Sequence, residues 1–168
     1  MIAMKKILQL YASYNVWANE KLIACIQSLD DKILNQEFPS SFRSIPLTFL
    51  HMLDAEIIWW HRMHFNDPVV PGPGSKDTTV DFKEALLKQN QQWKNWVLHA
   101  DSEELTHILS YRNSKLEPFS QPVYEILLHI FNHGTYHRGQ IVNLLHQLGL
   151  GEIPATDFIV FSRMYSDK

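Results

Sequence analysis

Two histidines, His133 and His137, stand four residues apart in "HIFNHGTYHRG" (129–139). Around them Ile126, Ile130, Ile141, Leu144 and Leu148 recur at helical spacing. At about 100° per residue, side chains at i and i+4 meet on one face, so both imidazoles reach one point inside the apolar arc. Two neutral ring nitrogens converging in an apolar setting suit a divalent metal. The other reading is a pair of core histidines hydrogen-bonded to carbonyls. His129 lies one turn earlier but rotates toward the flank, as a neighbour of the pair rather than a third member.

The spacing also occurs in zinc proteases as H-E-x-x-H, where the glutamate is the general base. Here Gly134 stands in the place of that glutamate, which argues against protease chemistry of that type. A mid-helix glycine costs about 1 kcal/mol relative to alanine. Its missing side chain would clear space beside a metal or let another helix approach. Two ligands rarely hold a metal, so a third is expected from a neighbouring helix. His51, between Leu47 and Ile58, and Asp54, one turn on, are the candidates. Three histidines would leave one coordination position open for water or substrate. His61 and His64 fall near the end of the helix that carries His51, and His99, His107 and His146 read as surface or loop residues.

Four segments carry the periodicity needed to position these groups. In the first, Ile7, Leu8, Tyr11, Tyr14, Asn15, Ala18, Leu22, Cys25, Ile26 and Leu29 share a face. Asn15 is out of place there, and a buried amide left unpaired costs roughly 1–3 kcal/mol. Cys25 reads as a small core residue rather than a reactive thiol. The second runs from about Pro46 to Phe65, with Ser44 as a cap. The third runs from about Asp81, a plausible N-cap, to His99, and the fourth from about Gln121 to Leu148, stopped by Gly149 and Gly151. "NDPVVPGPGSKD" (66–77) is a connection long enough to cover a surface or a pocket mouth. "LTHILSYRN" (105–113) reads as a short strand or an irregular crossover. The expected fold is all-α: a four-helix bundle with a long crossover between the third and fourth of these helices. The tail after Gly151 has enough Phe and Ile to pack back on the body.

With 168 residues the chain suits one domain, 1–168. Fifteen Lys and Arg against 18 Asp and Glu give a formal charge of −3, so no basic surface announces nucleic acid. No apolar run approaches the roughly 20 residues of a membrane span. Gln9, Ser13 and Asn15 interrupt the first apolar run too early for a signal peptide. Cys25 is the only cysteine, so no internal disulfide can form. A cytoplasmic protein is the expectation.

"YASYNVWANEKL" (11–22), "FLHMLDAEIIWW" (49–60), "HIFNHGTYHRGQI" (129–141) and "LGLGEIPATDFIVF" (148–161) together resemble the DinB / YfiT-like family of metal-binding helical proteins. The blocks fall in the family's order across nearly the whole chain, and N-H-x-x-x-H-R-G-Q is the most specific of them. The resemblance implies a four-helix bundle, a metal held by His51, His133 and His137, and a homodimer. Trp17 and Trp59, off the core faces of their helices, would suit an interface or pack under the long loop or the tail.

Some members of the family resemble thiol S-transferases that use bacillithiol, mycothiol or glutathione; others have been assigned only as metal-dependent hydrolases. The resemblance therefore implies a divalent transition metal (zinc, nickel or iron) and a low-molecular-weight thiol attacking a small electrophile. The alternatives are a hydrolase of a small substrate, with Asp54 or His129 as its base, and a non-catalytic metal-binding or stress-related protein. His129, Asp54, Arg138 and Asn15 are the groups expected around the ligands. Arg138, about 100° from His137, is expected on the flank of the metal face, either paired with Asp157 so that the tail closes one wall of the pocket or solvated, with Asp157 only capping a short final turn.

Overall fold

The computed structural model describes residues 2–65 and 81–166. The connection 66–77 lies outside the described residues. Seven helices and one hairpin follow in chain order: α1 (Ile2–Ile26), α2 (Asp31–Leu34), α3 (Ile45–Phe65), α4 (Phe82–His99), α5 (Ser102–Thr106), β1 (Ile108–Arg112), β2 (Pro118–Pro122), α6 (Val123–Gln147) and α7 (Phe158–Ser166). The four long helices α1, α3, α4 and α6 form the bundle. Both α1 and α3 pack on both α4 and α6, so α1 lies diagonally across from α3. None of the helices is long and apolar enough to cross a membrane.

The boundaries follow local chemistry. The Ser44 hydroxyl accepts from Leu47 N at 3.4 Å and opens α3. Asp81 caps α4 by accepting from Lys83 N. Gly149 adopts φ +79, a conformation that suits glycine, just beyond α6. Its N–H bonds to His146 O while Leu150 N bonds to Leu145 O, which satisfies the last carbonyls of the helix.

The long crossover is more ordered than its weak periodicity suggests. After the short α5 it forms an antiparallel hairpin in which Ile108 faces Pro122 and Arg112 faces Pro118. Leu109 and Tyr111 fall on the same side of β1 and turn toward the bundle. Tyr111 meets Trp59 of α3 at 4.9 Å. The tail does pack back: Phe158 and Phe161 of α7 lie against Tyr11, Tyr14 and Trp17 of α1, and the Tyr14 hydroxyl donates to Thr156 O. Trp17 and Trp59 are thereby taken up by the tail and the hairpin rather than left as a free aromatic patch. Cys25 is half-buried against the core, with its thiol held above the usual range by burial. Ile7, placed with the core by its spacing, is exposed.

The apolar core is split in two. One half gathers Leu22, Ile26, Phe49, Leu53, Leu86, Ile141 and Leu145. The other gathers Leu8, Ala12, Trp93, Val97, Leu127 and Phe131. Between them every bundle helix contributes a buried polar side chain: Asn15 and Asn19 from α1, Glu56 from α3, Asn90 from α4 and Arg138 from α6.

Candidate metal centre

The described structure brings His51 of α3 to His133 and His137 of α6, with one ring nitrogen from each within 4.8 Å of the others. His51 Nε2 lies 3.2 Å from His133 Nε2, and His137 Nε2 lies 3.0 Å from it. Tetrahedral sites with metal–nitrogen bonds of about 2.0–2.1 Å hold their ligand nitrogens about 3.3 Å apart, close to these two separations, so the three histidines could hold a metal ion. Of the two candidates for a third member, His51 lies in the cluster and Asp54 does not.

Burial is the first cause that holds His51 and His133 down at about 4; the nearby His137 adds to it for both, and His51 and His129 add to it for His133. Burial also lowers His137, against the opposing pull of its Gln140 bond. Neutral imidazoles are therefore favoured, and neutral imidazole is the ligand form. His137 Nδ1 donates to Gln140 Oε1 at 2.7 Å, which leaves Nε2 as the lone-pair nitrogen facing the cluster. Phe42 stacks on His51 at 4.0 Å and meets His137 edge-on at 5.5 Å, so one aromatic ring fixes two of the three imidazoles. Neither Gln140 nor Phe42 was marked by periodicity: Gln140 is polar at a helix flank, and Phe42 sits in an irregular segment.

His129 stands beside the triad, its ring 5.8 Å from His133 and 5.6 Å from Trp59. Asn15 and Arg138 belong to a different structure. Arg138 donates from one terminal nitrogen to Asn15 Oδ1 (2.7 Å) and Asn19 Oδ1 (3.2 Å), and from the other to Thr135 Oγ1. Asn15 Nδ2 donates to Glu56 Oε1; Asn19 Nδ2 donates to Asn90 Oδ1; Asn90 Nδ2 donates to both Glu56 oxygens. The five side chains close a ring that runs from a guanidinium, through three amides, to a carboxylate. Burial pushes Glu56 up to about 7, while the amide donors and Arg138 pull the other way. Around the carboxylate the amide oxygens already accept from Arg138 and Asn19, so the ring is complete with Glu56 ionised.

This corrects two expectations. Arg138 is 1 % exposed and committed to the ring, so the Arg138–Asp157 pair does not form. The backbone carbonyl of Asp157 instead starts α7. The tail accordingly docks on α1, diagonally across the bundle from the helix that carries His51, and does not wall the metal site. Of the two roles expected for Gly134, the approach of another helix is the one found: a Cβ there would sit 2.8 Å from Asn15 Oδ1 of α1 and 3.0 Å from Arg138 Nη1. Glu56, Asn19 and Asn90 were not singled out from the sequence, although each falls in an apolar stripe. Glu56 is four residues from Met52 and three from Leu53; Asn90 is four from Leu86 and three from Trp93.

The comparisons with known proteins agree with this architecture. The DinB family model matches residues 4–167. Protein DinB of Bacillus subtilis (strain 168) is 28% identical over 153 residues, covering 86% of this chain and 87% of its own. The crystal structure of a DinB-like protein from Bacillus cereus ATCC 10987 covers 85% of this chain and 91% of its own, with a TM-score of 0.59 at 19% identity, which is a likeness of fold.

Proposed function

Because the chain belongs to the DinB family, we propose that His51, His133 and His137 hold one divalent transition-metal ion and that the protein is a thiol S-transferase acting on small electrophiles. The observation that carries the reading is the composition of the cluster: three histidines and no carboxylate among the described residues. A divalent ion held by neutral ligands supplies positive charge that lowers the pKa of a thiol or water beside it. The chain's own groups do the rest. Gln140 and Phe42 fix the imidazoles. Glu56, the one carboxylate buried in the described core, is engaged by Asn15 and Asn90 and faces the ring. A hydrolase, which needs a base to activate water, would have to rely on Asp54 or His129, neither of which belongs to the cluster.

In the transfer, the thiol sulfur forms a bond to the electrophilic carbon. The leaving group departs with the bonding pair, and the thiol proton passes to solvent. Protein loaded in turn with zinc, nickel or iron, given glutathione or bacillithiol and a halonitroaromatic, is expected to release halide in a metal-dependent manner. Hydrolysis of ester or amide substrates without any thiol requirement would overturn the transferase reading. Halide release that is unchanged after metal removal would overturn the role of the metal.

The family resemblance also supports a homodimer. Light scattering at micromolar concentration is expected to give about twice the 19.7 kDa chain mass. A monomeric mass would count against it.

A further inference from the structure

His51, Ala55, Ile58 and Arg62 fall on one face of α3 by their spacing, and that face runs along α6. The two helices are antiparallel there, since His51 meets His133 and His137 while Trp59, farther along, meets the earlier His129. The seam between them therefore leads from the triad, past His129 and Trp59, to Arg62. The Arg62 guanidinium stacks over Trp59, 4.7 Å from the ring centroid, and over Tyr111 of β1, 5.4 Å from its centroid. Trp59 lies eight residues after His51, which places the guanidinium about 12 Å from the triad along the helix axis.

Among the described residues Arg62 is a charged group held in place without a partner. Among the described residues it forms no hydrogen bond and no ion pair; the ion pair found there is Arg43–Glu37, at the surface. Its Nε is sealed from solvent without a partner. Two aromatic faces fix the plane of the guanidinium, so its forked donors are oriented before any ligand arrives. A planar carboxylate accepts such a fork with two parallel hydrogen bonds.

We propose that Arg62, backed by Trp59 and Tyr111, is an anchoring subsite for a carboxylate on the far end of the molecule that reacts at the histidine triad. This rests on the reading of the triad as the reacting end, and it makes the substrate or thiol an acid whose reactive atom and carboxylate lie about 12 Å apart. The span between them is aromatic, lined by His129 and Trp59, and suits an apolar or flat linker. The burial that lowers the pKa of Arg62 is what an anion in its fork would offset.

The test uses cobalt(II)-loaded protein and ω-mercaptoalkanoates of increasing length, each paired with the ω-mercaptoalkanol of the same length. The sulfur-to-cobalt charge-transfer band reports binding independently of turnover. The carboxylate is expected to improve affinity by about tenfold or more, only at lengths able to span the gap. Arg62→Gln is expected to abolish that advantage while cobalt content and the affinity for the alcohols hold, and Arg62→Lys to restore part of it. A packing role for Arg62 in the hairpin would not produce this length dependence. No carboxylate advantage, an advantage at every length, or one that survives in Arg62→Gln would overturn the proposal. If no thiol gives a band, the thiol reading of the triad fails on its own. The Arg62 Nε–H resonance of zinc-loaded protein, titrated with 3-phenylpropionate, then decides the subsite. A saturable shift absent with 3-phenylpropanol supports it, and no shift overturns it.

Discussion

His133→Ala is expected to bind a divalent metal more than about 100-fold more weakly than the wild-type protein, because groups that merely orient a ligand are worth about 10–100-fold in affinity and His133 is itself a ligand. Its Nε2 is the nitrogen that both His51 and His137 approach, at 3.2 and 3.0 Å. His51→Ala and His137→Ala should follow it, since two imidazoles seldom hold a metal alone. Gln140→Ala, which frees His137 Nδ1, should fall in the intermediate range of about 10–100-fold. His129→Ala should keep most of its affinity, for its ring lies 5.8 Å from His133 and offers no nitrogen to the cluster. Competition with a metal-sensitive dye, backed by elemental analysis, reads all five. Wild-type affinity in His133→Ala would remove the triad as the binding site. Because His51 and His133 are held down at about 4, protons should compete with the metal at those ligands only well below the usual histidine range near 6.5.

Breaking the polar ring should have the largest effect on stability. Arg138→Met removes the donor to both Asn15 and Asn19 and leaves Glu56 buried without a counter-charge. Arg138 reaches Glu56 only through the amides, so the cost is expected to lie below the ~3–5 kcal/mol of breaking a direct buried ion pair but above the ~1–3 kcal/mol of one unsatisfied group. Glu56→Gln keeps the shape, but its amide N–H groups would face the Asn15 and Asn90 donors, and a buried unsatisfied group costs about 1–3 kcal/mol. Urea melts of the two single variants and the double variant give the coupling. The double variant is expected to lose less than the sum, since each change removes what the other group needs. Strict additivity would falsify the idea that the ring acts as a unit.

The pH dependence carries a definite sign. Glu56 is raised in the fold to about 7 from an ordinary 4.5, so the folded state binds its proton more tightly than the unfolded chain does. That contribution is fully present below about 4.5 and is lost as the pH rises through about 7. Glu56→Gln should flatten the stability profile across that window.

Much of the fold is legible in the chain because helices are local. The i, i+3, i+4 recurrence marks the four long helices, Asp81 and Gly149 mark two of their ends, and the apolar residues after Gly151 require a tail that folds back. The hairpin was harder to read, because Leu109 and Tyr111 alternate over too short a run to outweigh the surrounding polar residues. The same locality placed His133 and His137 on one face before any tertiary contact was considered.

The sequence by itself determined that two imidazoles share a point on α6, that Gly134 rules out the glutamate of a zinc protease, and that Asn15 needs a partner. Tertiary structure decided who the partners are. Whether His51 or Asp54 meets the pair depends on the axial register and rotation of α3 against α6, and those follow from the summed packing of whole helix faces. Arg138 shows the same limit: its spacing points to the flank of the metal face, with Asp157 or solvent as its partner, and gives no sign of the partners on α1. The interior wins because Asn15, Asn19, Glu56 and Asn90 arrive at one level from three other helices and together satisfy a charge that none of them could hold alone. Periodicity treats a buried asparagine in an apolar stripe as an exception on its own helix, and only the four helices together reveal a ring.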